Sequence, residues 1–200
     1  MKRIALLLAL SLFLLVTMGY SYFNYQFWTH YRTDFFSSLT EYHGTNIRGL
    51  RGRQIIVHAK FIPYLKKIDT YAQQNGVRLI INQSYRNSKQ SLGRTVVTPS
   101  KMSNHLAGFA IDFNIRSGHK LYLSKAMKRG NLKNLPQNIQ NFIADIRRDK
   151  GLRWGGDFNY QDPVHIDYPL NLKSRSKWRA YSEACHKEYT QRVSLWKFWK

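Results

Sequence analysis

The apolar and polar positions divide this chain into one continuous apolar run, two stretches of helical period and several short runs of strand period. The continuous run is Ile4 to Phe23, and no Lys, Arg, Asp or Glu interrupts the sequence from Ile4 through Tyr31. About twenty apolar residues in a helix match the hydrocarbon thickness of a bilayer, so a transmembrane helix is expected here. Lys2 and Arg3 before the run and Tyr25, Phe27 and Trp28 after it fit an orientation with the N-terminus inside and an aromatic belt on the far side. The end of the run, Val16-Thr17-Met18-Gly19-Tyr20, lacks the small-residue pattern of a cleavage site, which favours an uncleaved signal anchor over a cleaved signal peptide.

From Ile55 to Gln74 apolar residues (Ile56, Phe61, Leu65, Ile68, Tyr71, Ala72) recur at helical spacing, and Gly76 follows as a stop. Val77 to Ile81 is a short β-rich run that ends in a polar loop, Asn82 to Ser91. In Phe109 to Ile115 bulky apolar residues alternate with small or polar ones, the period of a half-buried strand. Phe109, Ile111, Phe113 and Ile115 would then face a core, and Ala110, Asp112 and Asn114 a cleft. Pro136 to Lys150 reads as an amphipathic helix with Ile139, Phe142, Ile143 and Ile146 inward and Gly151 closing it. Trp154 to Tyr168 is a Gly- and Asp-rich loop leading into a short strand, and Ser176 to Lys200 a basic, Trp-bearing helix. These elements imply four regions: an anchor or signal peptide at 1–23, a membrane-proximal connector at 24–45, one catalytic domain at 46–175 and a basic tail at 176–200. Two hundred residues suffice for one compact domain with appendages.

Charge narrows the partners. With 32 Lys and Arg against 11 Asp and Glu the formal net charge is +21, a broad positive potential toward an anionic partner. The anionic cell envelope or membrane surface fits a chain with an export signal. Nucleic acid is not expected, because no recognition motif accompanies the charge. The tail would be retained on that envelope, or its tryptophans would pack on the domain or membrane surface. Cys185 is the only cysteine, so there is no internal disulfide and no cysteine-rich zinc finger.

The scarce acids carry more information. Asp112, Asp157, Asp162 and Asp167 fall in two short segments that also contain histidine. An acid on a strand between Ile111 and Phe113 must face solvent or find a partner, and a metal is one such partner. His105, Asp112 and His165 would supply the three protein ligands of a catalytic zinc site, with a fourth position open. Asp162, three residues before His165, can serve as the base that moves the proton of the attacking water, and Arg86 can stabilise the developing oxyanion or hold a substrate carboxylate. Asp157 reads as a turn residue after two glycines, with support of His165 as the alternative. His58, His119 and His186 read as ordinary packing or surface residues.

The run Ser103-x-His105-x-x-Gly108-x-Ala110-x-Asp112, followed by Asp162-x-x-His165, resembles the signature of peptidase family M15, the D-alanyl-D-alanine carboxypeptidase/VanY-type metallopeptidases. Ser84-Tyr85-Arg86 with Gln90 resembles the upstream motif whose arginine and glutamine face the substrate. The resemblance spans roughly residues 55–170. It implies an α+β, hedgehog/DD-peptidase-like domain, a small mainly antiparallel sheet with packed helices. It also implies a single zinc on His105, Asp112 and His165, Asp162 as base, and Arg86, Gln90 and Ser103 on the substrate side. Trp154-Gly155-Gly156-Asp157 is similar to the L-alanyl-D-glutamate endopeptidase branch, which contains phage endolysins, whereas Ile166-Asp167 departs from it. The expected activity is hydrolysis of the L-Ala–D-Glu bond of the peptidoglycan stem peptide, with D-alanyl-D-alanine carboxypeptidase activity as the alternative. The expected location is the inner membrane with the catalytic domain in the periplasm or otherwise outside the cytoplasm, or secretion if the signal is cleaved.

Overall fold

The computed structural model describes residues 2–23, 29–31, 37–89, 97–98 and 100–195. Helix α1 (Lys2–Phe23) is followed by the short strands β1 (Thr29–Tyr31), β2 (Leu39–Glu41), β3 (Ile47–Gly49) and β4 (Ile56–His58). Helix α2 (Ile62–Gln74) leads to β5 (Arg78–Gln83), β6 (Ala110–Ser117) and β7 (Lys120–Tyr122). Helix α3 (Gln137–Arg148) precedes β8 (Arg153–Trp154) and β9 (His165–Asp167), and α4 (Leu170–Lys173), α5 (Arg175–Arg192) and β10 (Val193–Leu195) are the last described elements.

The main sheet runs β3-β5-β6-β9-β8, with β7 also paired to β6. All its pairings are antiparallel except β3 with β5, so the chain is α+β with a mainly antiparallel sheet, as expected. The alternation in β6 explains the layering. Phe109, Ile111, Phe113 and Ile115 are buried, and they join Leu65, Ile68 and Ala72 of α2 and Ile139, Phe142, Ile143 and Ile146 of α3 in one core. Phe113 meets Phe142 edge-on, with ring centroids 6.3 Å apart. The opposite face of β6 keeps Asp112 and Asn114 partly exposed. Sequence period thus fixes which face holds chemistry.

Three expectations need correction. The helix expected over 55–74 begins only at Ile62, with Pro63 in its first turn, a place where a missing amide proton costs nothing. Ile56–His58 ahead of it is instead strand β4, antiparallel to β2, because the β-branched pair Ile56-Val57 gains more from a sheet than from a helix. Gly76 does end the helix, at a φ of +60°.

The tail helix stops at Arg192, and Val193–Leu195 pairs antiparallel with β1. Trp196 and Trp199 lie outside the described residues, as do residues 24–28 and 32–36 of the expected connector. Within that connector Leu39–Glu41 is built into the sheet pair with β4. Helix α5 keeps Lys177, Arg179 and Lys187 exposed but buries Cys185 with Tyr31, Leu39, Ile56 and Tyr85.

Helix α1 is the one the apolar run predicts, with its large apolar side chains from Ile4 to Met18 more than half exposed. Its described side chains end at Gly19. Among the described residues no helix is long and apolar enough to cross a membrane. The transmembrane span expected from the apolar run is therefore not supported by the described residues.

Glu188 is the polar clamp that seats α5. Its carboxylate accepts from the backbone amides of Ser38 (2.7 Å) and Leu39 (3.1 Å) and from the Tyr31 hydroxyl. Glu188→Gln removes the charge and turns one acceptor into a donor facing other donors. The expected loss is about 1–3 kcal/mol, read from the urea midpoint. An unchanged midpoint would show that apolar contacts alone hold the helix.

Candidate metal centre

Three elements deliver the site. Asp112 lies on β6, and His165, the first residue of β9, stands directly opposite it in the antiparallel register. His105 sits on the 3-10 turn Asn104–Ala107 that precedes β6. Gly108 ends this turn at a φ of +74°, and a Cβ there would come within 2.6 Å of the His58 amide nitrogen. Only glycine therefore lets the chain double back from His105 into the strand that carries Asp112.

The three functional atoms converge. His105 Nε2 is 3.1 Å from Asp112 Oδ1, His165 Nδ1 is 2.9 Å from the same oxygen, and the two nitrogens are 3.2 Å apart. Ligands about 2.0 Å from a tetrahedral ion are about 3.3 Å from one another, so this triangle is close to one face of such a site. Other contacts aim the rings. His105 Nδ1 donates to the Ser84 carbonyl at 2.7 Å, which leaves the Nε2 lone pair for the triangle. His165 turns Nε2 toward Asp167 Oδ2 at 3.5 Å and presents Nδ1. Two imidazole lone pairs and a carboxylate crowded together require a cation among them, and this nitrogen and oxygen set suits zinc. Among the described residues they form a group able to hold a metal ion.

Without a metal, protons meet that demand. Burial disfavours charge on His165, but hydrogen bonds to Asp112 and Asp167 outweigh it and raise its pKa to about 10. Burial likewise opposes ionisation of Asp112, yet His105 and His165 hold its carboxyl well below the usual range.

The surrounding residues divide by role. Burial, and then the charge of Asp112, raise the pKa of Asp162, and its Oδ1 is a buried oxygen with no hydrogen-bond partner. Arg86 is buried, and its backbone amide donates to the His105 carbonyl at 3.1 Å. Burial disfavours its charge and the nearby Asp112 favours it. Ser103 opens the ligand turn, where its carbonyl accepts from Leu106 N at 3.1 Å and from Trp178 Nε1 at 3.2 Å. Its visible work is therefore to seat the turn. Gln90 lies outside the described residues. Asp157 is exposed and paired with Arg147 through two hydrogen bonds (2.8 and 2.6 Å), so it is a turn residue and does not support His165. His58 is buried between Phe109 and Tyr181, a packing residue as expected.

Sequence reasoning missed Asp167, Ser84 and the two glycines as parts of the site. Asp167 could have been found, since residues two apart on a strand share a face and one of them is His165. The Ser84 contribution is a backbone carbonyl, which leaves no trace in side-chain identity. A Cβ on Gly155 would meet the Asp162 carbonyl oxygen at 2.3 Å, and one on Gly156 would meet the Trp154 indole at 2.2 Å. Asp162 N donates to Gly155 O at 2.8 Å. The two glycines therefore let the loop that carries Asp162 lie against the Trp154 turn.

Two histidines set the pH response of the metal-free protein. Burial lowers the His58 pKa from 6.5 to about 4. The unfolded chain then takes up that proton first, and stability falls as pH drops from 6.5 toward 4. His165 is shifted the other way, so its contribution is full below 6.5 and lost as pH rises toward 10. Metal-free protein should melt highest near pH 6.5 and lower on both sides, as read by calorimetry in chelator. The alkaline loss should vanish in zinc-saturated protein, where His165 is neutral. A metal-free melting temperature that climbs from pH 6.5 to 9 would contradict this assignment.

Residues 97–168 match the family model described as D-alanyl-D-alanine carboxypeptidase, of the M15 peptidases. The matched span holds His105, Asp112, Asp162 and His165, while Arg86 lies before it. No curated protein matches the chain. The two imidazoles and one carboxylate that could hold a metal converge inside the matched span, so residues 97–168 of this chain are similar to the M15 zinc metallopeptidases in both sequence and site geometry.

Proposed function

We propose that this peptidase hydrolyses the L-Ala–D-Glu bond of peptidoglycan stem peptides outside the cytoplasm. The observation that carries the hydrolytic reading is the triangle of His105 Nε2, Asp112 Oδ1 and His165 Nδ1 beside an Asp162 oxygen that is buried without a partner. Zinc held by that triangle would supply a Lewis acid that polarises the substrate carbonyl and lowers the pKa of water.

The chain's own residues handle protons and charge. Asp162 takes the proton of the attacking water and passes it to the leaving amine. A carboxylate with a raised pKa suits that double role, because it must hold the proton between the two transfers. Arg86 remains cationic through the reaction and makes no hydrogen bond to a carboxylate among the described residues, so its charge is available to the oxyanion or to a substrate carboxylate. Gln90 and Ser103 stand as further substrate contacts by resemblance to the family motif.

The endopeptidase assignment rests on the likeness of Trp154-Gly155-Gly156-Asp157 and Asp162-x-x-His165 to that branch. D-alanyl-D-alanine carboxypeptidase activity is the second reading, favoured by the description of the matching family model. Export is supported by Lys2 and Arg3 ahead of an exposed apolar helix. The net charge of +21 supports retention on an anionic envelope or membrane surface, with the exposed cations of α5 contributing.

Mass spectrometry of purified peptidoglycan treated with the full chain and zinc separates the two readings. Release of stem peptides that begin with D-Glu is the expected result. Loss of only a terminal alanine would replace it with the carboxypeptidase. His105→Ala should lose both zinc and cleavage, and undiminished cleavage in that variant would end the metallopeptidase mechanism. Asp162→Asn should keep its zinc while kcat falls by about 10²–10⁴-fold.

A further inference from the structure

Asp167 neither belongs to the ligand triangle nor has a part in proton transfer, yet it is the most heavily bonded acid beside the site. It is 2% exposed. On β9 it follows His165 by two positions, so both side chains leave the same face of the strand. Its Oδ1 accepts from Arg153 Nε at 2.9 Å, and its Oδ2 accepts from Arg153 Nη2 and from Asn104 Nδ2, each at 2.6 Å. The same Oδ2 faces His165 Nε2 at 3.5 Å. Asn104 immediately precedes His105, and its own Oδ1 accepts from the Asn171 backbone amide at 3.1 Å. One carboxylate thus reaches both histidine-bearing segments, and the two-pronged grip of Arg153 keeps it from turning away.

An imidazole can offer either nitrogen to a metal, and the partner of the other nitrogen decides which. A carboxylate only accepts hydrogen bonds, so Asp167 demands the proton on Nε2 of His165 and directs Nδ1 toward Asp112 and His105. For His105 the equivalent decision belongs to the Ser84 backbone carbonyl, which no substitution removes. We propose that Asp167 is a positioning residue that selects Nδ1 of His165 as the ligand atom and holds the two histidine segments in register. The metal affinity of the site then depends on a side chain that never touches the metal. This inference rests on the metal-centre reading.

The test compares zinc affinity of the full-length wild type, Asp167→Asn and Asp149→Asn by competition with a chromogenic chelator. Asp149 is a control of similar burial and bonding away from the site, where it accepts from Lys67, Tyr71 and Gly151. Asp167→Asn should weaken zinc binding about 10–100-fold, while Asp149→Asn should lower the melting temperature and leave zinc affinity unchanged. In wild-type protein loaded with ¹¹³Cd, ¹⁵N spectra should show the metal coupled to Nδ1 of His165 and Nε2 of His105. Equal zinc affinity in Asp167→Asn and wild type would overturn the proposal, and so would metal coupling to Nε2 of His165. The cadmium spectrum decides the matter on the wild type alone if the variant does not fold. A wild-type chain that takes up no zinc would overturn the metal-centre reading and this proposal with it.

Discussion

The antiparallel register of β6 against β9 is the constraint on which the rest depends. It sets Asp112 opposite His165 and Ala110 opposite Asp167, so a slip of one residue would point every one of these side chains to the other face. What prevents the slip is hydrophobic. Ile111, Phe113 and Ile115 are fully buried against α2 and α3, and exposing such a set would cost each side chain about 1.5–3 kcal/mol of burial. The core therefore does more than stabilise the domain, because it holds Asp112 and its neighbours in place from the other side of the strand. The β5–β6 pairing breaks register between Ile81 and Gln83, next to Asp112. Bulges of this kind re-aim the residues beside them.

Around that pairing the scarce acids are placed economically. Asp69 accepts from Tyr42, Thr45 and Asn46 and ties the start of β3 to α2. Asp149 ties α3 to α2 through Lys67 and Tyr71, and Glu188 seats α5 on β2. Asp112, Asp162 and Asp167 serve the site. A chain with so large an excess of cations leaves many of them facing solvent, where they build a positive field, while the acids are used where a fixed acceptor is required.

The strand that bears Asp112 was legible because β6 is buried on one face only, and its period of two survives in the residue order. Helix α3 was legible for the same reason, since Ile139, Phe142, Ile143 and Ile146 repeat at helical spacing and all four are buried. Strand β4 was hidden because three residues are too few to show a period beside a longer helical pattern, although Pro63 marks where that helix starts. The pairing of β10 with β1 joins segments far apart in the chain, and nothing local encodes a contact at that sequence distance. At the site, the resemblance of the Ser103–Asp112 and Asp162–His165 runs to a family signature points to His105, Asp112 and His165, whose ligand atoms converge in the structure. The carbonyl of Ser84 and the steric demands on Gly155 have no chemical signature of their own, so they emerge only from the packed geometry.

That last point alters what the Trp154-Gly155-Gly156-Asp157 run means. By resemblance it marks the endopeptidase branch, which invites the idea that it touches substrate. Its parts act otherwise: the indole Nε1 of Trp154 donates to Pro163 O at 2.8 Å, Gly155 lies against the backbone of Asp162, Gly156 lies over the indole, and Asp157 pairs with Arg147 at the surface. Every one of these contacts shapes the loop that carries Asp162 and His165. The run therefore positions Asp162 and His165, and under the proposed function discrimination between bonds falls to groups that would face the substrate. Arg86 is the described cation whose backbone is joined to the ligand turn and whose charge feels Asp112. A carboxypeptidase has to receive a terminal carboxylate, whereas an endopeptidase at L-Ala–D-Glu has to pass a chain onward on both sides of the bond.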